Sequence, residues 1–168
     1  MDVKIEALFD HMIFSEQIAR WIYAEFIKNI KPGYSFDDIL KTVRSSHTDR
    51  LPIRLIAVIK GKCIGTISLV ENDLKSKNYT PWLAALYVDV PYRNLGVGEK
   101  LIVAVKATAC QQGYSTLFLR TEHAGDYYRN LGWQFVETCS DDNNLNPDVF
   151  KYNLKAGYQN SHAQPVRP

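Results

Sequence analysis

A chain of 168 residues, 46% hydrophobic and 23% charged, has the size and balance of one soluble globular domain with a substantial core. Its net charge of +2 is too small to argue for nucleic acid or a membrane surface as partner. Its three cysteines, Cys63, Cys110 and Cys139, lie far apart, show no metal-ligand spacing and leave an odd thiol, which points to a reducing cytoplasm and to no metal centre. Residues 1–30 carry acidic and basic groups throughout, so neither a signal peptide nor a membrane span is expected.

Residues 3–8 alternate apolar and polar side chains and read as a first strand. Ser15 is placed to cap a helix in which Ile18, Trp21, Ile22 and Phe26 share one face, and Lys31, Pro32 and Gly33 stop it. Ser35 opens a second helix, with Asp38 three residues on and Ile39, Leu40 and Val43 as its apolar stripe. Residues 53–59 and 63–70, joined by Gly61 and Lys62, read as a hairpin of two buried strands. A polar loop over 72–80 leads to Pro81 and Trp82, which start a fourth strand running to Val88. A helical pattern follows over 99–112, with Val97, Leu101, Ile102, Val105 and Ala109 at helical spacing and Gly113 at its end. Residues 116–120 form a fifth strand, 124–131 a short helix stopped by Gly132, 133–138 a sixth strand and 149–154 a last one. The intervening segment 140–147 is rich in Asp and Asn and reads as a loop. Residues 156–168 are polar and without period, which predicts a mobile tail on a single domain over 1–155.

The stretch from Val88 to Gly98 joins a strand to a helix through a tight turn. Backbone N–H groups at a helix start have no partner within the helix, and the dipole adds partial positive charge there. Gly96 and Gly98 let a ligand approach that backbone, and Arg93 and Lys100 add charge on either side. This is either a pyrophosphate cradle or a turn that only connects two elements. The Gly-Lys-Ser/Thr ending of a P-loop is missing, and Leu101 stands where a dinucleotide fingerprint needs a third glycine.

Arg93, Gly96 and Gly98 make the pattern R-x-x-G-x-G after Leu86, Tyr87 and Val88. This resembles the acetyl-CoA-binding motif of the GNAT N-acetyltransferase superfamily. Further on, Tyr127, Tyr128, Gly132 and Trp133 resemble the second signature of that superfamily, aromatic-Tyr-x-x-x-Gly-aromatic. The resemblance covers residues 52–154 well and the first fifty loosely. It implies an α/β (mixed α+β) fold: a twisted, mostly antiparallel sheet of about seven strands, splayed after the fourth, with helices on both faces. The strand–helix–strand crossover in the middle should be right-handed, with its two strands parallel.

The same resemblance implies acetyl-CoA as co-substrate, held by Arg93, Asn94, Leu95, Gly96, Val97, Gly98 and Glu99. It implies an oxyanion donor among the backbone N–H groups of Leu86, Tyr87 and Val88, freed by a bulge at the end of the fourth strand. It makes Tyr128 the general acid, leaving Tyr127 to pack inward, and it puts Thr121 where many members carry an Asn that contacts the CoA arm. The base is open. Residues 82–88 contain no carboxylate, and the nearest are Glu71 and Asp73, acting directly or through water. Asp141, Asp142 and Asp148 are expected to flank the acceptor mouth and attract a cationic amine, and His123 reads as a surface histidine.

The implied function is acetyl transfer from acetyl-CoA to a primary amine by direct attack in a ternary complex, with a small-molecule acceptor favoured. The alternatives are a peptide N-terminus or lysine as acceptor, or a non-catalytic CoA-binding domain that has kept the fold and lost the base. No metal, nucleic acid or membrane partner is expected, and a homodimer is compatible with the resemblance.

Overall fold

The computed structural model describes residues 1–155, so the tail over 156–168 lies outside the described residues. Strand β1 (Lys4–Ala7) runs through tight turns over residues 8–14 into helix α1 (Ser15–Ile22), which widens into a π-helical turn over Tyr23–Ile27. Ser15 is the first helical residue and not the cap. Phe14 holds the cap position, and the buried Ser15 hydroxyl instead accepts a hydrogen bond from Arg44 Nε at 3.4 Å. Helix α2 (Phe36–Arg44) starts with the expected reciprocal cap: the Asp38 N–H donates to Ser35 Oγ, and the Ser35 N–H donates to the Asp38 carboxylate at 2.9 Å.

The remaining elements are β2 (Ile53–Ile59), β3 (Lys62–Val70), β4 (Trp82–Val88), α3 (Val97–Gln111), β5 (Thr116–Thr121), α4 (Gly125–Asn130), β6 (Gln134–Thr138) and β7 (Asp148–Asn153). They build one seven-stranded sheet in the order β1-β2-β3-β4-β5-β7-β6. Every neighbouring pair is antiparallel except β4 and β5, which are parallel because α3 crosses between them.

Alternation along β2 divides the core. Leu55 and Ala57 face Val97, Leu101, Ile102, Val105 and Ala109 of α3. Ile56 faces the other way, under Ile18, Ile22 and Ile27 and under Ile39 and Val43 of α2. α1 and α2 therefore cover one face and α3 the other.

Two irregularities shape the middle of the sheet. Thr66 of β3 faces Tyr87 and Ser68 faces Ala84, so Ile67 is matched by two residues of β4, Ala85 and Leu86. Ala85 takes a positive φ of 50° and packs against the α1–α2 cluster. This is the bulge the resemblance implies, centred one residue before the expected stretch at Leu86. Beyond it β4 and β5 part: their described register is the single pair Trp82 and Phe118.

Gly65 closes the β3 side of this region. A Cβ there would sit 2.9 Å from the Tyr87 carbonyl oxygen and 3.2 Å from Leu101 Cδ1. Backbone cannot yield as a flexible side chain does, so Gly65→Ala must push β4 and α3 outward. The expected result is a loss of about 1–3 kcal/mol of stability, the usual cost of overpacking, measured by chemical denaturation.

Candidate functional site

A cleft of about 520 Å³ opens where β4 leaves β5. Of the residues expected there, Leu86, Tyr87, Val88, Arg93, Asn94, Gly96, Val97, Gly98 and Glu99 all line it. Leu95 is in the same turn but is 55% exposed and turned away from the lining. Glu25, Tyr92 and Tyr127 complete the wall. Glu25 comes from the π-helical turn after α1, a contact that no local sequence signal announces.

The turn works as a backbone cradle. Asn94 and Gly96 both have positive φ, 59° and 77°, and Gly96 holds the cap position of α3. The Lys100 N–H returns to the Gly96 carbonyl at 3.1 Å, which leaves the N–H groups of Val97, Gly98 and Glu99 without helical partners at the cleft. A Cβ on Gly98 would stand 3.5 Å from the Tyr127 hydroxyl, in the space between helix and ring. Arg93 does not reach freely into solvent. Its Nε donates to the Val88 carbonyl at 2.9 Å, and its guanidinium lies 5.4 Å from the Tyr87 ring centre. The charge is thereby pinned to the end of β4.

The two tyrosines of α4 exchange the expected places. Tyr127 is 40% exposed and faces the cleft, whereas Tyr128 is the buried one, at 8%. Neighbouring residues on a helix point about 100° apart, so only one of the pair can enter the core. Tyr128 goes in because its ring meets Trp133 and Tyr127 edge to face. Its hydroxyl has no partner among the described residues and yet is not sealed off, so it keeps an opening to solvent. Burial, helped by Tyr127, pushes the Tyr128 phenol up to about 12. Thr121 ends β5, and its Oγ1 accepts from the Ala124 N–H at 3.0 Å to start the turn into α4.

A second cleft, of about 750 Å³, lies between residues 31–34, the β3–β4 loop at 72–75, Arg120 and residues 141–143. Asp73 lines it without a hydrogen-bond partner, and burial raises its carboxyl to about 6 against the opposing pull of Lys31 and Arg120. Asp141 is the opposite case. Burial pushes it up, but hydrogen bonds from Arg120 and from the N–H groups of Leu145 and Asn143 outweigh that and bring it to about 2. Asp142 lines the cleft at its surface, opposite Lys75. Asp148 is outside it, accepting from Thr138 Oγ1 at 2.6 Å. Glu71 is exposed on the bend after β3 and lines neither cleft, and His123 is exposed before α4.

The two clefts share no lining residue. The first reaches β4 at Leu86, Tyr87 and Val88, and the second takes Arg120 from β5, two residues beyond Phe118, the one described partner of β4 on that strand. Among the described residues no group of three or more His, Cys, Asp or Glu could hold a metal ion, and no helix is long and apolar enough to cross a membrane.

A family model described as the Acetyltransferase (GNAT) family matches residues 15–133. A probable spermine N(1)-acetyltransferase of Bacillus subtilis subsp. natto strain BEST195 and a spermine/spermidine N(1)-acetyltransferase of Bacillus subtilis strain 168 are each 30% identical over 70 residues, 39% of this chain and 46% of theirs. The chain thus spans about half the length of the curated relatives it matches. Among solved structures, a GNAT-family acetyltransferase of Staphylococcus aureus Mu50 superposes with a TM-score of 0.68 at 21% identity, over 91% of this chain and 99% of that one. An aminoglycoside 6'-N-acetyltransferase complexed with coenzyme A gives 0.69 at 14% identity, over 92% and 97%. At such identities the likeness is one of fold.

The raised Asp73 carboxyl makes stability depend on pH. Its folded value, about 6, lies above the ordinary aspartate value of 3.8, so the native state binds the extra proton between the two. This contribution is present below about pH 4 and is lost as pH rises through about 6. Asp73→Asn removes the penalty, so above pH 7 it should be more stable than the wild type, by roughly 2 kcal/mol, in denaturation at several pH values.

Proposed function

Because the chain belongs to the Acetyltransferase (GNAT) family, we propose that it transfers an acetyl group from acetyl-CoA to a small primary amine by direct attack in a ternary complex. The observation that carries this reading is the first cleft, which the end of the bulged strand β4 and the unpartnered N–H groups at the start of α3 line together. Acetyl-CoA supplies the activated acyl group as a thioester.

The glycine turn fits a pyrophosphate. The N–H groups of Val97, Gly98 and Glu99 face the cleft, no side chain blocks them at Gly96 or Gly98, and Arg93 adds charge. Asn94 and Leu95 set the turn. The bulge takes one N–H among residues 86–88 out of the ladder and offers it to the negative charge that develops on the acyl oxygen. Tyr128 holds its proton firmly at neutral pH and gives it to the leaving thiolate. Thr121 serves mainly to set the turn that presents α4.

For the base we assign Asp73 over Glu71. Asp73 lines the acceptor cleft, and a carboxyl near 6 accepts a proton at neutral pH from the incoming ammonium, directly or through water. Asp141 and Asp142 draw the cationic acceptor in. The thiols of Cys63, Cys110 and Cys139 are free, which suits the cytoplasm as the setting.

Release of free CoA, followed across a panel of primary amines, tests the reading, and no release with any of them would contradict it. With an active acceptor, kcat/KM should rise as pH passes upward through about 6, because the base must be ionised. Asp73→Asn should lower kcat by about 100-fold or more and abolish that limb, while Glu71→Gln stays within about two-fold of wild type. The reverse pattern would transfer the role to Glu71. Tyr128→Phe should lower kcat and kcat/KM together by about 100-fold with little change in melting temperature, and unchanged turnover would remove Tyr128 from the mechanism.

A further inference from the structure

Arg54 is the second residue of the otherwise apolar strand β2 and is 5% exposed. Its Nε and Nη1 are fully enclosed and have no hydrogen-bond partner. Nη2 is not among the enclosed atoms, so the guanidinium keeps one open edge. No ion pair to Arg54 exists among the described residues, and burial alone draws it down to about 10, with no charge partner contributing. The hydroxyl of Ser68 is 1% exposed and equally unpartnered.

The two are neighbours by register. Arg54 faces Ser68 across the β2–β3 ladder, and Ser68 faces Ala84 of β4. Directly opposed residues project to the same side with side chains in contact range. That side is the one under α1 and α2, since Ile56, two residues after Arg54, belongs to their cluster. Ala85, the bulged residue, packs against the same cluster. A guanidinium, a hydroxyl and the strand position next to the bulge therefore lie in one row on the side of the sheet covered by α1 and α2.

A buried cation without a partner is among the least favourable things a core can hold, and a polar group left unpaired beside it adds to the cost. An anion completes the arrangement. A guanidinium fork with an adjacent hydroxyl matches the planar oxygens of a carboxylate. We propose that Arg54 and Ser68 form a carboxylate-reading subsite next to the β4 bulge, so that the acceptor is an amine that also carries a carboxylate, of the amino-acid class. The inference rests on the acetyl-transfer reading for its chemistry. It disfavours polyamines, which would set a second ammonium against Arg54.

The test sets amino acids against the amines left when their carboxylate is removed, lysine against cadaverine among them. With wild type, the carboxylate member of the best pair should be acetylated with a kcat/KM about ten-fold or more higher, and it should raise the melting temperature of the protein where its counterpart does not. Arg54→Met should bring the pair within about two-fold and abolish the melting shift. It should itself melt no lower than wild type, because it replaces an uncompensated buried charge with an apolar chain of similar reach. Equal use of both members of every pair by wild type, or a preference that survives in Arg54→Met, would overturn the subsite. Failure of the acetyl-transfer reading shows separately, as no CoA release with any amine. The melting shifts then decide alone: a carboxylate-induced shift lost in Arg54→Met upholds the subsite, and no shift in wild type overturns it.

Discussion

The site depends on two parallel strands that start together and then part. β4 and β5 are joined at Trp82 and Phe118, and the Ala85 bulge turns β4 away just beyond. The closed end is held firmly. The Tyr79 ring stacks on Phe118 at 4.7 Å, and the Trp82 indole donates to the Tyr79 carbonyl. The Tyr79 hydroxyl then donates to Glu137 at 2.6 Å, which also takes Lys77 at 2.7 Å. Aromatic burial and a charge-assisted bond fix one end, so the opening is confined to the other. A sheet with β4 and β5 paired throughout would have backbone hydrogen bonds where the cleft now lies.

From that parting follows a division of chemistry between the two faces. The α3 side is apolar up to the helix start, where unpartnered N–H groups and the pinned Arg93 concentrate positive character. The α1–α2 side keeps its ionisable groups. Within one cleft Arg120 pairs with Asp141 and Glu122 and only partly offsets the burial of Asp73. Two carboxylates a short way apart are thus driven to opposite ends of their range, about 2 and about 6. Asp141 becomes a fixed structural charge that orders the loop at residues 143–145, and Asp73 becomes one that exchanges protons near neutrality.

Features carried by local chemistry were legible in the sequence. The Ser35–Asp38 cap, the seven strands, the parallel β4–β5 pair and the glycine turn at Gly96 all depend on residues a few positions apart or on pattern. Ser15 was not legible as a buried acceptor, because its partner Arg44 is 29 residues away. The order of Tyr127 and Tyr128 depends on how α4 is rolled against Trp133, which a two-tyrosine motif does not state. Asp73 and Glu71 look alike in sequence, and only the β3–β4 loop decides that one faces a cleft and the other solvent. Arg54 reads as an interruption in an apolar strand until the cross-strand register sets it beside Ser68.

The most direct measurement of the central claim is amide-resolved NMR of the protein titrated with acetyl-CoA. If the parted strands and the helix start form one binding site, the amides of residues 86–88 and 97–99 should shift most and gain most in protection from solvent exchange, with Tyr127 following. Amides in β1, β2 and β6 should stay where they are. Saturable binding that leaves residues 86–88 and 97–99 unperturbed would contradict the account.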